Sequence, residues 1–373
     1  MRKISILIAV RNEEQLILSC LDNLKKSINE FYKIEENNHN FNLETLIGDD
    51  NDTNTEDKSA EIIKEFIERN KGLDFNYFKI DRTKKELIKN NLKGKINVVH
   101  QLINHSAGKT IILLDADILV NPNWLKELLT KYYQNENIKM IMGTTIPNPN
   151  QDSFFTKFQT IDWLFGQGIL AIFSWLGFPQ TAMGNNLIFD RKIYEELGGY
   201  ESIEFSVTED VALFKTFQKY IKEQSCLTLQ SVRQNKQNKN QFFLHLFNSQ
   251  SLAFTEAEPT LKYWILQHHR WFCGAWQFSN FLKKGILLIY LFRIIFFIGV
   301  ILSGNIYLIF STLLLLGINF LLIISFFVRL KLKVSFSTIL QALLFCLMES
   351  FLYFLVGVYF LKTKNVKWKG REF

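Results

Sequence analysis

The sequence predicts an α/β domain on a mostly parallel sheet, followed by C-terminal transmembrane helices. Three observations lead there. Short apolar runs alternate with stretches of helical spacing through the first third of the chain. Acidic pairs stand where those runs end. From residue 286 to 361 the composition turns almost wholly apolar, whereas residues 1–281 mix polar and apolar types. The division this predicts is a globular domain over 1–281 and a membrane region over 282–373.

Residues 3–10 read as a buried strand that stops at Arg11-Asn12-Glu13-Glu14. Apolar spacing over 16–28 predicts a helix, and 43–48 a second strand ending at Asp49-Asp50. A helix is expected over 56–70, a strand over 75–80, a helix over 96–104 and a strand over 110–114 that runs into Asp115-Ala116-Asp117. Parallel sheets bind ligands at the carboxyl ends of their strands, so acidic clusters at three such ends suggest one site. Residues 164–178 are strongly apolar yet shorter than the roughly 20 residues a bilayer span needs. A single crossing there would also put Asp117 and Asp210 on opposite sides. The stretch 153–178 is therefore expected to be a helix at the membrane interface or along an acceptor groove, with a core helix as the plain alternative. Polar residues 230–241 read as an exposed loop.

The net charge of +7 raises the question of a nucleic-acid partner. Its location answers it. Residues 282–373 hold eleven Lys and Arg against Glu349 and Glu372, a net of +9, which leaves −2 for residues 1–281. The basicity belongs to the membrane flanks, where it meets anionic headgroups and sets topology, and nucleic acid is excluded as a partner. Cys20, Cys226, Cys273 and Cys346 show no metal or redox spacing and read as reduced thiols. The first strand begins at once, with no signal-peptide pattern before it.

Asp-Ala-Asp at a strand end offers hard oxygen ligands suited to Mg²⁺ or Mn²⁺ shared with a diphosphate. The triplet alone is a common solvated turn; its position after Thr110–Leu114 is what favours chemistry. Thr208-Glu209-Asp210 precedes an amphipathic helix, where acids suit the positive N-terminus, and Asp210 serves equally well as a general base. In Gln267-His268-His269-Arg270-Trp271, Arg270 could hold a diphosphate and Trp271 could stack on a sugar, or the run could be an aromatic-basic membrane anchor. Adjacent side chains on a helix point about 100° apart, so the two histidines are poor candidates for one shared ion.

Taken in order, these residues resemble the family 2 glycosyltransferases, inverting enzymes of the Rossmann-like GT-A fold. The matching pieces are Asn12-Glu13, Asp49-Asp50, Gly94-Lys95, Asp115-Ala116-Asp117, Gly184-Asn185-Asn186, Gly198-Gly199-Tyr200, Thr208-Glu209-Asp210 and the QxxRW signature over Gln267–Trp271. The resemblance implies donor binding by Arg11, Glu13, Asp50, Lys95 and Asp115, and a metal on Asp117. It implies that Asp210 is the catalytic base and that Gln267, Arg270 and Trp271 shape the donor–acceptor pocket. Ala9 stands where the family often has Pro, and Asp52 interrupts the usual DDxS pattern. The implied partners are a nucleotide sugar, of which a UDP-sugar is the family-based expectation, and a lipid or polysaccharide acceptor.

Residues 286–303 and 306–328 each suit a span, flanked by Lys283, Lys284, Arg329, Lys331 and Lys333, which predicts cytosolic flanks and a cytosolic catalytic domain. A third segment, 334–361, carries Gln341 and Glu349; a full crossing would export the basic tail against its charge, which a tilted or re-entrant segment would avoid. About three segments are fewer than a polymer channel usually needs, so a lipid acceptor is expected. A processive polysaccharide synthase is the alternative within the family, and a non-catalytic membrane scaffold or sugar-nucleotide sensor the alternative outside it.

Overall fold

The structure is a computed structural model. It describes residues 2–372 apart from 36–39, 53–55, 84–91, 151–152, 205, 207, 230–241, 279–298, 301, 364–365 and 369–370. The polar loop 230–241 and most of the first expected span, 286–303, lie outside the described residues. The chain divides into two compact units. One comprises Met1–Thr145, Leu170–Phe205 and Ala212–Thr255; the other comprises Ile146–Ile169, Ser206–Val211 and Glu256–Phe373.

The first unit opens with β1 (Arg2–Val10), α1 (Ile17–Glu35), β2 (Phe41–Asp49), α2 (Ser59–Arg69), β3 (Phe75–Lys79), α3 (Lys95–His105) and β4 (Thr110–Asp115). These are the seven elements the periodicity predicts. Short β5 (Leu119–Val120), then α4 (Trp124–Gln134) and β6 (Met140–Gly143) follow. After β7 (Thr145–Pro147) comes α5 (Phe154–Trp175), which begins in the second unit and ends in the first. Then come β8 (Asn186–Asp190), α6 (Arg191–Glu196), a 3-10 turn (Gly199–Ser202), α7 (Glu209–Leu229), β9 (Phe243–Leu246) and β10 (Ala253–Thr255).

Seven strands form one sheet in the order β3-β2-β1-β4-β8-β6-β9. β1 runs parallel to β2 and β4, β2 to β3, and β6 to β9, while β8 is antiparallel to both its neighbours. The sheet is therefore mostly parallel, as expected, with one reversed strand that periodicity did not announce. Alternation along β1 sends Ile4, Ile6 and Ile8 to one face, against Leu21, Leu24 and Trp124, and Leu7 to the other, against Val98, Leu102 and Phe217. With both faces covered, the ends of the parallel strands are where polar side chains can gather.

The second unit holds the first and larger part of α5, the start of α7, and α8 (Leu261–Phe278), α9 (Ile306–Arg329) and α10 (Phe336–Lys362), then a small β11–β12 pair (Lys367–Trp368, Arg371–Glu372). By length and composition α9 and α10 are apolar enough to cross a membrane, and they coincide with two of the expected segments. Asn305 caps α9 by accepting from Tyr307 N, and Ser335 and Thr338 form a capping box on α10. The segment 153–178 is helical from Phe154 to Trp175. In the second unit its stripe Phe158, Phe165 and Gly168 packs on Phe345 of α10 and Phe326 of α9.

Candidate active site

In the first unit the polar residues gather at the ends of β1, β2, β3 and β4. Two adjacent aspartates close β2, and pleating turns them apart. Asp49 is fully buried, accepting from Tyr77 Oη at 2.7 Å and Lys79 Nζ at 2.9 Å, so it secures β2 to β3. Burial, followed by the hydrogen bond to Asp49, pushes the Tyr77 hydroxyl well above its ordinary range. Asp50 turns instead toward two guanidiniums. Arg82 Nε lies 2.6 Å from Asp50 Oδ1, and Arg11 Nη1 donates to the Asp50 carbonyl at 2.9 Å. Both arginines also pair with Asp52. Burial opposes the charge on Arg82, but Asp50 and Asp52 outweigh it and hold the group cationic. Asp52, the departure from the family pattern, thus shares the two cations of its neighbour.

Asn12 adopts a left-handed φ of 55° and donates its N–H to Asn51 Oδ1 at 2.8 Å, which turns the chain so that buried Glu13 follows at the end of β1. Lys95 begins α3 after Gly94, whose φ is 60°. Its Nζ reaches Asp115 Oδ1 at 2.5 Å and the Gly184 carbonyl at 3.3 Å. Asp117, in the turn between β4 and β5, accepts from Thr255 Oγ1 at 3.2 Å. Of the expected donor-side residues, Arg11 and Asp50 meet directly and Lys95 meets Asp115. No group of three or more His, Cys, Asp or Glu forms a metal cage among the described residues. A single oriented carboxylate, Asp117, beside a lysine-paired Asp115 suits Mg²⁺ or Mn²⁺ that draws other ligands from phosphate and water.

In the second unit, Thr208-Glu209-Asp210 starts α7, and Asp210 Oδ1 accepts from Val211 N at 2.8 Å. A Cβ on Gly274 would collide with the Thr208 side chain, so only a glycine lets α8 approach this segment so closely. On α8, Gln267 Nε2 donates to Glu258 Oε1 at 2.9 Å. Trp271 meets Trp163 edge-on at 4.9 Å and His268 at 4.7 Å between centroids. The two histidines face different partners. His268 Nδ1 lies 2.9 Å from the Trp264 carbonyl, and His269 Nε2 lies 2.8 Å from the Thr363 carbonyl. Burial holds His269 below its usual range and pushes the Cys273 thiol up to about 11.

Three contributors escaped the sequence reading. Arg82 follows a strand end, as the other site residues do, and that placement could have flagged it. Thr255 and Asp162 carry no local signal, because they reach their partners only through long-range packing.

Fold and motif order define a class of sugar-transferring proteins, and family comparisons agree. The description Glycosyl transferase family 2 matches residues 5–198, and Glycosyl transferase family group 2 matches residues 110–361. The chain belongs to glycosyltransferase family 2. A glucosyl-dolichyl phosphate glucuronosyltransferase of Haloferax volcanii is 25% identical over 97 residues, 26% of this chain and 30% of that one. This chain thus spans under a third of that curated relative's length. Among solved structures, a mannosyltransferase from Pyrobaculum calidifontis in complex with GDP-Man and Mn²⁺ is similar at 12% identity and a TM-score of 0.48, covering 94% of this chain and 88% of that chain. A glucosyl-3-phosphoglycerate synthase from Mycobacterium tuberculosis in complex with Mn²⁺ and UDP-glucose is similar at 13% identity and a TM-score of 0.40, covering 73% and 77%.

Proposed function

We propose that the chain is an inverting, metal-dependent glycosyltransferase moving a sugar from a nucleotide sugar, by our reading a UDP-sugar, to a lipid or lipid-linked acceptor at the cytosolic membrane face. The observation that carries this is the approach of Thr208 to Gly274, which brings the start of α7 against the helix bearing Gln267, Arg270 and Trp271. In this reading 1–281 is catalytic and 282–373 is the membrane region.

Arg11, Glu13 and Asp50 bind the nucleoside, and Lys95 and Asp115 orient the diphosphate. Asp117 would hold Mg²⁺ or Mn²⁺, which when bound neutralises charge on the departing diphosphate. Asp210 takes the proton of the acceptor hydroxyl as that oxygen attacks the anomeric carbon from the face opposite the leaving group. Gln267, Arg270 and Trp271 line the pocket where the two substrates meet. Support for a lipid acceptor comes from α8, which rests on α10: His269 bonds the Thr363 carbonyl and Phe272 packs on Phe360 at 4.8 Å. The name of the Haloferax relative supports a lipid-linked acceptor.

A panel of nucleotide sugars with Mg²⁺ or Mn²⁺, read by mass spectrometry of extracted lipids, tests the reading. One added sugar in the organic phase is expected; a long water-soluble polymer would replace the lipid acceptor by a processive product. Asp210→Asn should lower transfer at least a thousandfold while donor binding persists. Retained turnover would refute Asp210 as base.

A further inference from the structure

The second unit contains a buried carboxylate–imidazole contact that the proposed chemistry does not use. Asp162 on α5 is 2% exposed and His268 on α8 is 4% exposed. Three donors converge on the Asp162 carboxylate. Tyr353 of α10 gives its hydroxyl to Oδ1 at 2.7 Å, and Trp264 gives its indole N–H to Oδ2 at 3.1 Å. His268 Nε2 lies 2.9 Å from the same Oδ2, close but off the straight line of an ideal N–H bond. A carbonyl only accepts, so Nδ1, facing Trp264 O at 2.9 Å, carries a proton.

Geometry ties this pair to the signature residue Trp271. The His268 ring lies 3.9 Å from the Trp264 ring, 5.5 Å from Tyr353 and 4.7 Å from Trp271, centroid to centroid. On its other side Trp271 meets Trp163, the residue after Asp162. An imidazole packed among aromatic rings and set against the Asp162 carboxylate has little freedom to turn.

We propose that Asp162, His268 and Tyr353 are positioning residues that lock α8 to α5 and α10, so that Trp271 is held in one orientation at the sugar pocket. This rests on the reading of Trp271 above. The lock makes α10 part of the catalytic assembly, since one hydroxyl from that helix reaches the carboxylate that anchors His268. The other acidic, basic and histidine side chains on these three helices are Lys157 on α5, Lys262, His269 and Arg270 on α8, and Glu349 and Lys362 on α10.

The test uses the full chain in lipid nanodiscs with UDP-glucose and GDP-mannose as probes. Tyr353→Phe removes one hydroxyl and keeps the ring; Asp162→Asn keeps the shape and removes the charge. Both should lower kcat ten- to a hundredfold with donor KM within twofold, because the donor-side residues are elsewhere. Wild-type kcat in both variants would overturn the proposal. A readout independent of turnover is the ¹⁵N spectrum of His268 at pH 8, assigned with His268→Gln. The ring resonances of His268 are expected to shift in Asp162→Asn relative to wild type, because the carboxylate 2.9 Å from Nε2 sets their environment. A His268 spectrum unchanged by Asp162→Asn would sink the pair even if neither probe is a substrate; a spectrum that responds as expected without turnover would count against the function reading alone.

Discussion

At the scale of single residues, adjacent identical side chains take opposite jobs because a strand alternates its faces. Asp49 is consumed by Tyr77 and Lys79 inside the sheet, while Asp50 is left facing Arg11 and Arg82 at its end. Removing Arg82 strips Asp50 and Asp52 of a shared cation without touching the sheet. Arg82→Ala is expected to raise donor KM about tenfold, ~1.4 kcal/mol of binding, with kcat largely retained. Asp49→Asn should act differently, lowering thermal stability by loosening β2 from β3 before it affects the donor. Steady-state kinetics alongside thermal melts separate the two, and equal effects would contradict this division of labour.

At the scale of elements, α8 is the junction of the second unit. It approaches the start of α7 through Gly274, α5 through Trp264, His268 and Trp271, and α10 through His269 and Phe272. Within a helix, Gly→Ala usually stabilises by about 1 kcal/mol. Gly274→Ala is expected to do the reverse, because overpacking against Thr208 costs roughly 1–3 kcal/mol. The melting temperature should fall and transfer should drop more than donor binding, since Thr208 and Asp210 move together. Thr208→Gly in the same chain should restore part of both. A stabilised Gly274→Ala with full activity would show that the close approach is not needed.

At the scale of the molecule, charge and packing bear on how the C-terminal region meets a bilayer. α9 is mostly exposed, whereas α10 is nearly half buried, so the two helices have different surroundings. From Phe345 to Thr363, about 27 Å of helix, α10 lies against α5 and α8. Basic residues stand at both its ends, Arg329, Lys331 and Lys333 before it and Lys362 at its close. Both features favour a helix whose two ends lie on the same side of a bilayer over one that crosses fully. Cysteines placed at Lys331 and Lys362, in a chain whose native cysteines are alanine, should react with an impermeant maleimide from the same face. Labelling from opposite faces would make α10 a full span.

Much of this protein was legible in its sequence, and the reason is local. Alternating apolar periods determined the α/β class and the first seven elements, because burial on both faces of a parallel sheet forces near-continuous apolar strands. Motif order determined the family, and a count of charges placed the excess basicity in residues 282–373. What the tertiary structure decided is which groups meet. It alone assigned Asp49 to the core and Asp50 to two arginines, brought Thr255 to Asp117, and set Asp162 beside His268 across 106 residues. Those contacts depend on long-range packing of helices and strands, and no local pattern of residues encodes a partner so far along the chain.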